Sequence, residues 1–176
     1  MKSRGIAPII LVLAALVMAG CRGPSRDDKI TARDDTSFDL WLSDHRDVLS
    51  PSDVKELNTA RQQIRYKTMQ SRPGMMSADF ANVVYAEING KTLHELLITS
   101  TQLQIERMKT ELLNYQPQLQ RFQEHDANTH LTDDQKQTVK ESLDKLHRLM
   151  AEHQEELARL TKRLSELEQE AAAGKK

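Results

Sequence analysis

From Val139 to Ala171 the sequence reads VKESLDKLHRLMAEHQEELARLTKRLSELEQEA. Its apolar residues recur at alternating spacings of four and three residues, which is the 3.5-residue period of a coiled-coil seam. The stripe consists of Val139, Leu143, Leu146, Met150, His153, Leu157, Leu160, Leu164, Leu167 and Ala171. This stretch predicts one long amphipathic helix that packs along a partner helix.

A matching stripe precedes it. One row contains Ile98, Ile105, Leu112 and Leu119, and a second row, three residues later, contains Thr101, Met108, Tyr115 and Phe122. Each predicted helix begins with a capping box, in which a threonine side chain and the side chain three residues later satisfy each other's backbone N–H groups. These are Thr92 with Glu95, and Thr132 with Gln135. Two amphipathic helices in succession predict an antiparallel coiled-coil hairpin.

The register of this hairpin is predicted by matching the two stripes. In an antiparallel pair of helices, the residue numbers of facing residues add up to a constant sum. The pairs from Phe122/Lys136 to Ile98/Leu160 all have the same sum. The turn is then centred on residue 129, and His153 faces Ile105. His153 is either a pH-responsive element or a polar seam residue that fixes the register or the oligomeric state, and we favour the second interpretation.

The segment before the hairpin predicts short helices. Ser37–Leu49 has apolar residues at helical spacing, and Ser50-Pro51-Ser52-Asp53 indicates a new helix that ends at Arg72-Pro73-Gly74. Ser77 is expected to cap a third helix that closes at Asn89-Gly90. Residues 82–88 are compatible with a strand because they contain Val-Val-Tyr, but without a visible partner strand we favour helix.

Composition supports an all-α fold: a long antiparallel coiled-coil hairpin with a short helical N-terminal subdomain. Only 4% of the 176 residues are aromatic, and from Lys91 to Ala173 there is no glycine and a single proline, Pro117. Sheet folds need frequent Gly and Pro turns, so they are excluded for this half. Pro117 lies off the stripe and is expected to bend its helix near Leu113.

The N-terminus has the features of an export signal. Lys2 and Arg4 precede the apolar run Ile9–Ala19, which is short for a membrane-spanning helix. The run ends in Met18-Ala19-Gly20-Cys21, and this order of charge, apolar run, small residues and cysteine resembles bacterial lipoprotein precursors. The resemblance implies cleavage between Gly20 and Cys21 and attachment of lipid to the Cys21 sulfur. It also implies anchorage in the cell envelope. Arg22, in place of an aspartate, favours the outer membrane, facing the periplasm.

The resulting organisation has five parts. Residues 1–20 form the signal peptide, 21–36 the lipidated cysteine and a flexible tether, and 37–90 the helical subdomain; 91–172 form the hairpin and 173–176 a basic tail. The polar tether would reach roughly 20 Å. Removal of residues 1–20 leaves 23 Lys and Arg against 26 Asp and Glu. A slightly acidic chain of this kind has no charge signature for nucleic acid.

The sequence offers no pattern typical of an enzyme. A single cysteine excludes internal disulfides and cysteine-based zinc sites, and no glycine-rich phosphate loop or nucleophile elbow occurs. No cofactor and no small-molecule substrate is expected. Glu124, His125, Asp126 and His130 carry ligand atoms for a divalent metal near the turn, but their spacing matches no metal-site template, so no metal is expected.

Leu131-Thr132-Asp133-Asp134-Gln135 resembles the LTxxQ motif of the Spy and CpxP family of periplasmic chaperones. That resemblance implies client binding or envelope-stress sensing, for which Met75, Met76, Phe80 and Tyr85 are candidate contact residues. The function expected first is different: a lipid-anchored structural or adaptor protein that binds a protein partner, or itself, through the hairpin.

Overall fold

The structure, a computed structural model, describes residues 23–127 and 130–173. These residues form five α-helices and no strand, which confirms the all-α prediction and the helical alternative for residues 82–88. The helices are α1 (Asp35–Asp44), α2 (Pro51–Ser71), α3 (Ser77–Ile88), α4 (Leu93–Asp126) and α5 (Asp133–Ala173). Within the described part of the chain, no helix is both long enough and apolar enough to cross a membrane.

Helices α4 and α5 form the predicted antiparallel hairpin and share the most extensive helix–helix contact in the described structure. Every residue of both sequence stripes is buried or half-buried. Ile105, Leu146, Leu160 and Leu167 are the apolar stripe members that are buried most completely. The 3.5-residue pattern therefore identified the contact face of each helix correctly.

The register of the hairpin differs from the prediction. His153 faces Glu111 and Tyr115 rather than Ile105: its Nε2 atom lies 3.0 Å from Glu111 Oε2. The His153 and Tyr115 rings meet edge-on, with 5.3 Å between their centroids. Measured at His153, α5 is thus shifted by six residues toward the turn.

At the open end of the hairpin, α5 is displaced from the predicted register in the same direction, but by three residues. His94 Nε2 contacts the carbonyl oxygen of Leu167, where the sequence-based register placed Leu164. Because both stripes repeat every seven residues, sliding one helix by seven residues along the other matches the stripes equally well. The predicted register therefore depended on placing the centre of the turn at residue 129.

The predicted helix signals are largely confirmed. Ser50 caps α2 and exchanges hydrogen bonds with Asp53, and Thr92 caps α4 in the same way with Glu95. Ser77 is an exception, since it is the first residue of α3 and the cap position is Met76, which forms no side-chain cap. Glycines with positive φ follow two of these helices, Gly74 at 84° and Gly90 at 81°, where a side chain would be strained.

Pro117 lies inside α4, and the helix continues past it to Asp126. The residue is exposed. Proline lacks the N–H that would bond to the carbonyl four residues earlier, so α4 loses one hydrogen bond at this point without ending.

The core of the molecule joins the N-terminal helices to the hairpin. Phe38, Leu57, Ile64 and Ile88 are fully buried. The same cluster includes residues from both hairpin helices, namely Leu93, Leu96, Leu97 and Leu167. The hydrophobic core therefore crosses the predicted boundary between residues 90 and 91. We call this part, α1 to α3 with the adjoining ends of α4 and α5, the head.

The predicted flexible tether is wrong for its second half. Ile30 and Ala32 have 0% and 1% of their surface exposed, and both belong to the core cluster. Backbone hydrogen bonds of 2.8 Å join Ile30 to Lys91 and Gly90. A lone aliphatic residue in a polar segment gives no periodic signal, but its burial here orders the chain around it.

Candidate functional site: the two ends of the hairpin

The predicted lipidation motif, Met18 to Cys21, with the cleavage site after Gly20, lies outside the described residues. The tail beyond Ala173 lies outside them as well. The described chain begins at Gly23, two residues after the proposed lipidation site. The segment that begins at Gly23 lies at the open end of the hairpin.

We define the base of the molecule as this open end, where α4 begins and α5 ends, together with residues 23–32. Arg26 and Asp27 line a small crevice there with His94 of α4 and Glu170 of α5. Arg26 also binds the start of α2, since its Nη2 atom donates to Asp53 Oδ1 at 2.7 Å. The first turn of α2, the first turn of α4 and the end of α5 thus meet the N-terminal segment in one place.

Asp53 is held as a carboxylate at this junction. Its side chain accepts from the backbone N–H and the hydroxyl of Ser50, at 2.9 and 2.8 Å, in addition to Arg26. Burial opposes ionisation, but these hydrogen bonds and the Arg26 charge outweigh it and lower the pKa of Asp53. The attachment of Arg26 is therefore an ion pair at neutral pH.

A second charged cluster joins α1 to α2 and α3. The Tyr85 hydroxyl donates to Asp35 Oδ1, and Arg65 Nη1 donates to both carboxylate oxygens of Asp35 at 3.0 and 3.1 Å. Arg61 reaches Asp35 at 3.3 Å and lies 4.7 Å from the centre of the Phe38 ring. This network links residues that are 50 apart in sequence, and nothing in the local pattern predicts it.

The pKa values in this cluster follow from its geometry. The hydrogen bond from Tyr85 lowers the pKa of Asp35, and Arg65 acts in the same direction. Burial, reinforced by the hydrogen bond to Asp35, raises the pKa of Tyr85 to about 12. The cluster is therefore most favourable with Asp35 ionised and Tyr85 neutral, and its described contacts stabilise the head.

Three histidines connect separate segments in the same manner. In each, one ring nitrogen contacts a backbone carbonyl and the other lies toward a carboxylate. His45 contacts the Trp41 carbonyl oxygen and the Asp28 carboxylate. His94 contacts the Leu167 carbonyl oxygen and lies near the Glu170 carboxylate. His153 contacts the Leu149 carbonyl oxygen and the Glu111 carboxylate. His153 thus forms a polar connection between α4 and α5.

The other end of the hairpin, which we call the tip, is formed by the end of α4 and the start of α5. Glu124, His125, Asp126 and His130 are all exposed. Among residues 23–127 and 130–173, no group of three or more His, Cys, Asp or Glu side chains is arranged to hold a metal ion. The tip also contains the LTxxQ-like sequence, whose Thr132 and Gln135 form the capping hydrogen bonds of α5.

An open cleft lies on α4 between α2 and α5. It encloses about 540 Å³, and Ser100 and Gln104 contribute to its floor. Its walls carry Lys55 of α2 and Lys162 and Arg163 of α5. Arg163 is 3.7 Å from Glu56 across the cleft and 4.0 Å from Glu166 on its own helix, so its charge is paired with two carboxylates.

The candidate client-contact residues are not all accessible. Tyr85 is 1% exposed and belongs to the core, and Phe80 packs against the core from its edge. Met76, by contrast, is 77% exposed, and Met69 at the end of α2 is 57% exposed. Met76 is therefore the accessible member of the candidate set and Tyr85 is not, while Met69 is a second exposed methionine.

In comparisons with known proteins, no protein-family model, no curated protein and no solved structure matches the chain.

Proposed function

We propose that the chain is a lipid-anchored protein of the bacterial cell envelope that acts as a structural or adaptor protein through its helical hairpin. Anchorage would be through Cys21, in the outer membrane and facing the periplasm. The observation that carries the anchor is the sequence Met18-Ala19-Gly20-Cys21 at the end of an apolar run. Stable anchorage requires two or more acyl chains, which lipoprotein processing supplies.

The adaptor role is supported by the shape of the hairpin. Helix α2 covers α4 only as far as the region of Asn114, where Tyr66 and Gln70 line a shallow cleft with it. Beyond that point the seam residues Leu119, Phe122 and Leu143 are only half-buried. A two-helix rod leaves both of its sides open, and these are the surfaces on which a protein partner or a second copy would pack.

Lipidation is tested by metabolic labelling with a fatty-acid analogue. Cys21→Ser should abolish labelling and release the protein from membranes. A matched control moves the cysteine: Cys21→Ser combined with Ser25→Cys keeps a thiol near the same place but not after Gly20, and it should remain unlabelled. Labelling of either variant would contradict lipidation at Cys21.

The adaptor role is tested by photocrosslinking in cells. A probe at Leu113, which is 62% exposed on the outer part of α4, should capture one defined protein. A probe at Leu40, which is 59% exposed on α1, serves as the matched control and should not capture it. If the Leu40 probe captures the same partner and the Leu113 probe does not, the hairpin is not the binding surface.

A client-binding chaperone is the alternative, and the exposure of Met69 and Met76 favours it. Methionine side chains adapt to irregular apolar surfaces. A chaperone of this kind should suppress aggregation of an unfolded protein, and replacing both methionines with glutamine should reduce that suppression. The adaptor role predicts no suppression in either protein.

A further inference from the structure

We propose that the base of the molecule faces the membrane that holds the anchor, and that the hairpin extends away from this lipid surface with its tip farthest from it. The inference rests on the proposed lipidation of Cys21. Its structural support is the short length of chain between that cysteine and the docked segment at the base.

The link between anchor and head is short because residues after Arg26 are attached to the head. Arg26 pairs with Asp53 at 2.7 Å, and Ile30 is buried with backbone hydrogen bonds to the turn between α3 and α4. Four residues lie between Cys21 and Arg26. The five fully extended steps from one Cα atom to the other span at most about 18 Å, so the base must stay near the membrane surface.

The direction of the hairpin follows from which of its ends lies at the base. Arg26 and Asp27 lie beside the first turns of α4 and the last turns of α5. From Leu93 to Asp126, α4 rises about 50 Å at 1.5 Å per residue. The base therefore lies at the anchored end, and the tip can be on the order of 50 Å farther from the lipid.

A hairpin lying flat on the membrane would need a surface that binds lipid. Helices that lie in a membrane interface have a broad apolar face and a basic polar face. Among the described residues of α4 and α5, Leu113 is the only large apolar side chain that is mostly exposed. From Asp133 to Glu170, α5 contains ten Asp and Glu against seven Lys and Arg. The hairpin surface therefore has neither a broad apolar face nor a basic polar face. This favours an orientation in which the hairpin extends away from the membrane.

The orientation can be measured by energy transfer on liposomes. The full-length, lipidated protein is incorporated into phosphatidylcholine–phosphatidylglycerol liposomes whose headgroups carry an acceptor dye. A donor is attached to one introduced cysteine, either Ala127→Cys at the tip or Gln169→Cys near the base, both of which are exposed positions. Because lipid occupies the Cys21 sulfur, the introduced thiol is the only reactive one.

The expected result is strong quenching of the donor at residue 169 and several-fold weaker quenching at residue 127. Equal quenching at the two positions, or stronger quenching at the tip, would overturn the orientation while leaving the anchor intact. Failure of the protein to float with the liposomes would instead overturn the anchor, and the orientation with it.

A linker variant tests the role of the short connection. Inserting twenty Gly and Ser residues after Gly23 adds a flexible reach of roughly 25 Å and should reduce the difference between the two donors. The matched control places the same insertion between Asn128 and Thr129, and it should leave the difference unchanged. A difference that survives the insertion after Gly23 would show that the short link does not hold the base at the membrane.

Discussion

The backbone N–H of Ile30 donates to the carbonyl oxygen of Lys91 at 2.8 Å. Together with the hydrogen bond from the Gly90 N–H to the Ile30 carbonyl, this contact fixes the N-terminal segment to the turn between α3 and α4. The side chain of Ile30 is completely buried at the same place. The N-terminal segment is thus part of the core of the head.

We expect Ile30→Ala to lower the free energy of unfolding by about 2–5 kcal/mol, because it removes buried methyl and methylene groups and leaves a cavity. Urea denaturation followed by circular dichroism measures the effect. Lys29→Ala is the control, since Lys29 is exposed and its loss should change stability by no more than about 0.5 kcal/mol. Equal effects of the two substitutions would mean that the segment is not docked in solution.

Tyr85→Phe should lower the free energy of unfolding by about 1.5–3 kcal/mol at pH 7, because a hydrogen bond to the ionised Asp35 is lost. The control is Tyr66→Phe, since Tyr66 is 37% exposed on α2 and should contribute little. Similar losses in the two variants would contradict the special role of the Asp35 contact.

The Tyr85 contact should also give a distinctive dependence of stability on pH. The folded-state pKa of Tyr85, about 12, exceeds that of the unfolded chain, about 10, so its contribution is complete below pH 10 and is lost as the pH rises toward 12. The pKa of Asp35 is lowered in the fold, so its contribution is lost as the pH falls below about 4. Urea denaturation across pH should show the alkaline loss in the unmodified chain and not in Tyr85→Phe.

The sequence was sufficient for features that repeat or that are local. The seam from Val139 to Ala171 is periodic, and the capping residues Thr92 and Glu95 lie within one turn, so both could be identified without tertiary information. The burial of Ile30 and the pairing of Asp35 with Tyr85 depend on residues distant in sequence. No local pattern encodes such contacts, and for this reason the tether was predicted as flexible and the charged network was missed.

The shared core predicts that the head and the hairpin unfold as one unit. Leu167 is 1% exposed and packs in the cluster that contains Trp41, the only tryptophan in the sequence. Leu167→Ala should cost about 2–5 kcal/mol. The transition seen by Trp41 fluorescence should shift as much as the helix transition seen by circular dichroism.

Leu113→Ala is the matched control for that experiment, because it makes the same chemical change at a site that is 62% exposed. Its effect should be within about 0.5 kcal/mol. If Leu167→Ala shifts the helix transition without shifting Trp41 fluorescence, the head and the hairpin are independent units.

A crosslinking test can distinguish the register seen in the structure from the register predicted from the heptad pattern. In the structure His153 faces Glu111, whereas the uncorrected heptad alignment pairs it with Ile105. In a Cys21→Ser background, the pair Glu111→Cys with His153→Cys should be joined rapidly by a short bifunctional maleimide. The pair Ile105→Cys with His153→Cys should react slowly, because six residues of helix rise separate the two positions on α4 by about 9 Å. Intramolecular products are measured by mass spectrometry after digestion, and faster joining of the second pair would contradict the observed register.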